Sequence, residues 1–284
     1  MQLAILSRGD GWHVQDLIRA ARELGHSAKA LDFRRLVATN APPLPEFDAA
    51  IIRTMPAGSL EQVVFRMDVM HAFAASRRPV WNAPRAIETC VDKYLTNVRL
   101  ANAGLPVPPT VVCQLADDAI AAFESLGGDV VVKPLFGAEG RGMVRVSDPE
   151  LAWRTFHSIE QTRGTIYLQQ FVKHPGWDVR AFVLNGQVIA AMKRTGHGDW
   201  RTNVARGGTA ERYELSREET ELALKASAAT GAAIAGVDLI RNERREWFVI
   251  EVNAVPGWKA LAPTCGLDVA LEIVRFVAEG TPCQ

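Results

Sequence analysis

A chain of 284 residues is long enough for a substantial core and more than one lobe. Lys and Arg together number 32, as do Asp and Glu, and 48% of residues are hydrophobic; the zero net charge gives no sign of a basic nucleic-acid or membrane surface. The four cysteines, Cys90, Cys113, Cys265 and Cys283, form no CxxC pair, which excludes a zinc knuckle or disulfide framework and predicts reduced thiols in a cytoplasmic protein. No signal peptide opens the chain, and no apolar run approaches the roughly 18–20 residues that span a bilayer.

Residues 2–6 form a short apolar strand. After a polar loop, Val14, Leu17, Ile18, Ala21 and Leu24 recur at helical spacing until Gly25 stops the helix. Strands at 27–31, 49–52 and 79–82, with a helix at 61–75, complete a parallel α/β lobe, residues 1–83. The loop after residue 6 lacks GxGxxG, which argues against a dinucleotide-dependent oxidoreductase. A second lobe, 84–173, follows: one helix over 90–103 ended by Gly104, a proline-rich connection, and a strand at 110–113. A helix at 117–126, strands at 129–134 and 143–146 around a glycine-rich loop, a helix at 151–160 and a strand at 166–172 complete it. The third lobe, 174–284, is antiparallel, with strands at 179–184 and 188–193 flanking the turn pair Asn185 and Gly186. A helix at 217–230, strands at 237–240 and 248–253, and an amphipathic helix at 268–278 close the chain.

The last strand pair carries the most chemistry. If its turn closes as a hairpin, Asp238 lies opposite Glu251. Strict alternation puts Val249, Glu251 and Asn253 on one face and Phe248, Ile250 and Val252 on the other. Two carboxylates and an amide oxygen so close call for a cation, and oxygen-only ligands suit Mg²⁺. The bland alternative is a salt bridge from each acid to an arginine. Lys133 ends a buried strand before Gly137, Gly140 and Gly142, where glycines let backbone N–H groups approach phosphate oxygens; an ordinary turn reads the same way. Gln170 and Phe171 leave a strand, Asp178 begins the next, and Lys193, Arg194, Arg201 and Arg206 cluster downstream, as a surface loop or facing an anionic substrate. Trp258 is either packing or a substrate wall.

In this order the pieces resemble the ATP-grasp superfamily, specifically its RimK-type carboxylate–amine (α-L-glutamate) ligases. The resemblance rests on Asp92 and Lys93, the 130–134 strand with its three glycines, Gln170 and Phe171, Asp178 to Arg180, Arg201 to Asn203, Gly207 and Gly208, Gly236 to Asp238, and Glu251 to Asn253 with Pro256 and Gly257. It implies an ATP-grasp fold of mixed α/β and α+β class: an N-terminal parallel α/β lobe and two α+β lobes clasping ATP. Lys93 and Lys133 then reach the phosphates, the Gly137–Gly140–Gly142 loop closes over them, Gln170 and Phe171 meet adenine, and Asp178 faces the ribose. Arg201 and Asn203 sit near the γ-phosphate, with Arg201 and Lys133 catalytic. Asp238, Glu251 and Asn253 hold two Mg²⁺ ions, or Mn²⁺. The implied reaction joins a carboxylate to an amine through an acylphosphate, adding glutamate or another amino acid, in a cytoplasmic homo-oligomer with no nucleic-acid or membrane partner.

The chain departs from members that modify ribosomal protein: Ala254 and Val255 precede Pro256 where those have a small polar residue, and Glu139 adds a negative charge to the phosphate loop. The acceptor is therefore open among protein termini, tetrahydromethanopterin- or deazaflavin-type coenzymes and amino-acid carrier proteins. A non-catalytic ATP sensor is the alternative of another class.

Overall fold

The computed structural model describes residues 1–137, 142–196, 198, 200–202 and 207–280. The expected site residues Gly140 and Asn203 lie outside them, as do Glu139, Arg206 and Cys283.

Strands β1 (Gln2–Ser7), β2 (Ser27–Asp32), β3 (Ala49–Ile52) and β4 (Val80–Trp81) form a parallel sheet in the order β2-β1-β3-β4. The two faces follow the period of two. Leu3, Ile5, Ala49 and Ile51 pack with helix α1 (Trp12–Glu23) and the last helix, α9 (Val269–Glu279). Ala4, Leu6, Ala50 and Ile52 pack with α2 (Leu60–Ala75). A strand covered on both faces reads as a continuous apolar run, as β1 does.

The second sheet is antiparallel, ordered β5 (Thr110–Cys113), β8 (Ile166–Gln170), β6 (Val130–Lys133) and β7 (Val144–Val146). Helices α5 (Ala116–Ser125) and α6 (Pro149–Gln161) cover one face with a core of their own around Phe123, Phe156, Val130 and Val132. Val131 and Lys133 therefore turn to the opposite face.

The third sheet runs β11 (Thr209–Arg212), β10 (Gln187–Thr195), β9 (Trp177–Leu184), β12 (Ile234–Arg241) and β13 (Trp247–Asn253), all antiparallel. Helix α7 (Arg217–Thr230) starts at a capping box: Ser216 Oγ accepts from Glu219 N–H, and Glu219 Oε2 accepts from Ser216 N–H at 2.7 Å. This sheet shares both of its cores with the N-terminal sheet. Val179, Ala181 and Val183 join the α2 side, and Phe182 and Leu184 join the α1/α9 side. Asn82 pins the two together, donating to Ile234 O and Ala254 O at 2.7 and 2.6 Å and accepting from Ile234 N–H at 2.8 Å. A short helix, α8 (Leu261–Cys265), follows β13.

Three sequence expectations change. The single helix over 90–103 is two helices, α3 (Pro84–Val91) and α4 (Lys93–Asn102), because extended Asp92 turns its side chain onto Leu95 N–H and caps the second. The strand expected to reach residue 172 stops at Gln170. The alternation expected along 248–253 breaks at Ile250. Residues on its C-terminal side pair Asp238 with Glu251, and residues on its N-terminal side pair Leu239 with Val249, so Ile250 is an extra residue, a β-bulge. Val249 and Val252 both enter the core, while Ile250 and Glu251 face a cleft.

Candidate active site

The cleft, about 1150 Å³ and open to solvent, lies between the second and third sheets. It brings together Lys93, Lys133, Gly137, Gln170, Phe171, Asp178, Arg201, Asp238 and Glu251 from the sequence-derived set. Gly142 sits instead at the far stem of the glycine loop against Pro134, and Asn253 is not among the lining residues. Asn253 Oδ1 accepts from Val255 N–H at 2.9 Å.

On the second-sheet side, Lys133 is buried and donates from Nζ to Gln169 Oε1 at 2.6 Å. Gln169 in turn donates to Thr110 Oγ1 at 3.1 Å. Burial pushes the Lys133 ammonium down to about 8, an effect that Glu251 partly offsets and Lys93 adds to. Lys93, the first residue of α4, donates to Gly137 O at 2.9 Å and so ties that helix to the stem of the glycine loop. Burial lowers its pKa too, against the pull of Glu251 and Asp92. Gln170 is exposed and donates to Leu126 O at 3.1 Å. One face of the Phe171 ring carries the Arg145 guanidinium at 3.6 Å, itself held by both oxygens of Asp129.

The third-sheet side is a buried network of alternating charge. Asp178 faces Arg194 in register, and Arg194 Nε and Nη2 donate to its two oxygens at 2.6 Å each. Thr202 Oγ1 donates to Asp178 Oδ2 at 2.5 Å. Asp238 faces Arg180 in register and accepts from its Nε and Nη2, and Arg194 Nη2 lies 2.9 Å from Asp238 Oδ2. Burial by itself raises the Asp238 pKa, but Arg180 and Arg194 outweigh it and hold the carboxyl below its usual range. The salt-bridge alternative is thus realised at Asp238. Glu251, half-buried opposite it, has no such partner among the described residues.

Among the described residues no three His, Cys, Asp or Glu side chains gather as a metal site. The donors on hand are two carboxylates, Asp238 and Glu251, with the Asn253 amide two residues on. Of these, Glu251 lines the cleft with no partner among the described residues and is the oxygen donor that fits a hard divalent ion, while Asp238 is held by two arginines and Asn253 Oδ1 by Val255 N–H.

Gln169 and Thr202 were given no site role from sequence, and Arg194 only a place in the basic cluster, not its pairing with Asp178. Gln169 was reachable: Val131 and Lys133 share a face, Val131 pairs with Gln169, and the period of two does the rest. Arg194 was hidden by a second bulge. An unbroken register from Asn185 and Gly186 sets Lys193, not Arg194, opposite Asp178; the extra residue Ile189 shifts it by one. Trp258 is fully buried, with Nε1 donating to Asp16 Oδ2 at 2.8 Å, so it is packing and not a substrate wall.

The family description "RimK-like ATP-grasp domain" matches residues 90–277. The chain belongs to the RimK-like ATP-grasp family. It is 33% identical to the tetrahydromethanopterin:alpha-L-glutamate ligase of Methanosarcina acetivorans, over 94% of this chain and 95% of that protein. It is 30% identical to a probable alpha-L-glutamate ligase of Haemophilus influenzae, over 98% and 97%. Its fold is similar to a RimK-domain ATP-grasp protein of Sphaerobacter thermophilus, with TM-score 0.80, 24% identity and coverage of 97% and 99%. It is similar also to the D-cycloserine synthetase DcsG, with TM-score 0.76, 19% identity and coverage of 98% and 99%. Family membership makes this ATP-grasp chain an ADP-forming carbon–nitrogen ligase that uses ATP and a divalent metal. No helix among its described residues is long and apolar enough to cross a membrane.

Proposed function

We propose that this chain is an ATP- and Mg²⁺-dependent glutamate ligase that joins L-glutamate to a carboxylate of a small-molecule coenzyme. The observation that carries this reading is the cleft in which two buried or half-buried lysines, Lys93 and Lys133, meet the Glu251 carboxylate, unpartnered among the described residues. The relatives named as glutamate ligases, matched along nearly the whole chain, support glutamate as the added amino acid. The tetrahydromethanopterin-linked relative favours a coenzyme acceptor over a protein terminus.

In the reaction an acceptor carboxylate oxygen attacks the γ-phosphorus, the bond to the bridging oxygen breaks, and ADP leaves. The amine nitrogen of glutamate then attacks the acyl carbon of the acylphosphate; the C–O bond breaks, phosphate departs and the nitrogen loses a proton. Phosphoryl transfer of this kind depends on positioning and charge neutralisation more than on covalent help. Lys133, steadied by Gln169, places a point charge against the phosphates, and Lys93 carries a second from the stem of the glycine loop. Arg201, whose Nη1 reaches Met143 O at 3.5 Å, brings a third from the opposite wall. Asp178 and Arg194 fix the floor on which ribose and phosphates rest. Glu251, Asp238 and Asn253 are the residues that would hold Mg²⁺, and the ion would supply charge neutralisation at the phosphates when bound. Balanced charge and the free thiols Cys90, Cys113 and Cys265 support a cytoplasmic enzyme acting on small molecules, and size-exclusion chromatography tests the expected homo-oligomer.

The test is ADP release with L-glutamate and a panel of carboxylate-bearing coenzymes, followed by product mass. The expected result is ADP formation that needs both substrates, with a product heavier by one glutamyl residue. Tight ATP binding with no ADP from any pair overturns the ligase reading in favour of a sensor.

A further inference from the structure

Away from the cleft, Arg53 lacks, among the described residues, the partner its burial demands. Arg53 follows β3 and is only 7% exposed. Its Nη1 donates to Pro256 O at 2.9 Å, and its Nε is buried with no acceptor. No carboxylate lies within ion-pair range of it among the described residues, and its guanidinium rests over the Trp258 ring at 4.7 Å. Burial lowers its pKa to about 10, with no acid nearby to offset the effect. A buried cation without a counter-charge is costly, and a single carbonyl does not account for it.

Its position in the fold has a second, independent property. The chain passes from β1 to β2 on one side and returns to β3 on the other, so the N-terminal sheet reverses its strand order between β1 and β3. In open α/β sheets, ligands bind outside the carboxyl ends of the strands at that point. Arg53 stands there: its N–H donates to Leu6 O at 2.8 Å, next to the end of β1. Helix α1 begins at the same edge with Gly11 as its N-cap, a residue with no side chain to offer the first N–H groups. His13 in that first turn accepts from Trp258 N–H at 3.0 Å and packs edge-on against the same Trp258 ring as Arg53, at 4.7 Å.

We propose that the carboxyl ends of β1 and β3 form a carboxylate-binding subsite, in which Arg53 and the uncapped N-terminus of α1 receive the non-reacting carboxylate of a small dicarboxylate substrate. The subsite and the cleft stand on either side of Pro256. Its carbonyl takes the Arg53 bond, and its Cβ lies 2.9 Å from where a Cβ on Gly236 would stand, with Arg180 and then Asp238 beyond. The inference rests on the ligase reading only for the word substrate; the anion site stands on Arg53 and α1.

The experiment is a titration of the ¹⁵N-labelled full chain with sodium glutarate, L-glutamate and the neutral glutaramide, following the Arg53 Nε–H resonance, assigned by its loss in Arg53→Met. The expected result is saturable movement with a carboxylate probe and none with glutaramide. Movement with L-glutamate alone assigns the subsite to the incoming amino acid; movement with glutarate as well assigns it to an acceptor tail; both carry the proposal. By isothermal titration, Arg53→Met weakens binding of the active probe about tenfold or more. Gly11→Asp, which gives α1 its own carboxylate at an extended position (φ −65°) and so preserves folding, also weakens it. A resonance unmoved by both carboxylates, equal movement with glutaramide, or unchanged affinity in a folded Gly11→Asp variant overturns the subsite. Probe binding at Arg53 without ADP release under any substrate pair sinks the ligase reading and leaves the subsite in place.

Discussion

The two walls of the cleft handle charge in opposite ways. On the third sheet every buried charge has a partner in the protein: Arg180 with Asp238, Asp238 with Arg194, Arg194 with Asp178. Across the cleft, buried Lys133 of β6 leans on a neutral amide, Gln169, and Lys93 of α4 on a backbone carbonyl of Gly137. Apart from Glu251, which faces the cleft, the charges of the first wall are paired within the protein. The lysines facing it have no carboxylate partner among the described residues, and the phosphates of the proposed reaction would supply the missing negative charge.

The largest break in this contrast comes from the paired wall. Arg194→Met leaves Asp178 and half of the Asp238 pairing buried without a counter-charge, and urea unfolding should record a loss of about 3–5 kcal/mol. The matching change on the other wall should do the reverse. Lys133→Met removes a desolvated cation, so the melting temperature holds or rises, while kcat/KM for ATP falls about 10²–10³-fold in an ADP-release assay. A Lys133→Met protein that melts well below wild type would show that the two walls are not so different. Between the walls and the N-terminal sheet, Gly236 has no room for a side chain: a Cβ there would stand 2.9 Å from Pro256 Cβ and 3.1 Å from Arg180 Nη1. Gly236→Ala should therefore lose about 1–3 kcal/mol in the same unfolding experiment.

The smallest effect is one of pH, and its sign differs for binding and folding. With its pKa lowered from 10.5 to about 8, Lys133 is charged below pH 8 and neutral above it. ATP affinity should weaken by up to about tenfold per pH unit above 8, and Lys133→Arg should flatten that slope. Over the same range the unfolded chain binds more protons at this site than the folded one. Stability should rise from pH 8 towards 10.5, because the burial penalty present below 8 is relieved there.

Much of this was readable in the residues. Apolar runs separated by amphipathic helices announced the parallel sheet, Asn185 and Gly186 announced the β9–β10 hairpin, and the spacing of Asp238 and Glu251 announced their meeting. The extra residues were not readable. Ile189 and Ile250 look like ordinary strand positions, yet each shifts a register by one, and those shifts set Arg194 against Asp178 and turn Glu251 from the core into the cleft. The Asp92 break also escaped, since an aspartate inside an amphipathic pattern announces a cap only once its side chain is seen on Leu95 N–H.

The shared core of α1 and α9 bears on how this enzyme can be recombined. The first helix and the last pack on one face of the same sheet, and Arg19 of α1 reaches Asp268, the cap of α9, at 2.9 Å. A chimera that exchanges only residues 1–83 with a relative therefore sets a foreign α1 against a native α9 and a native Trp258. Exchanges that graft both ends together, from Met1 to Asn82 and from Trp258 onward, keep the α1/α9 seam within one parent, and the packing they must still match is that of Val179 to Leu184 against the N-terminal sheet.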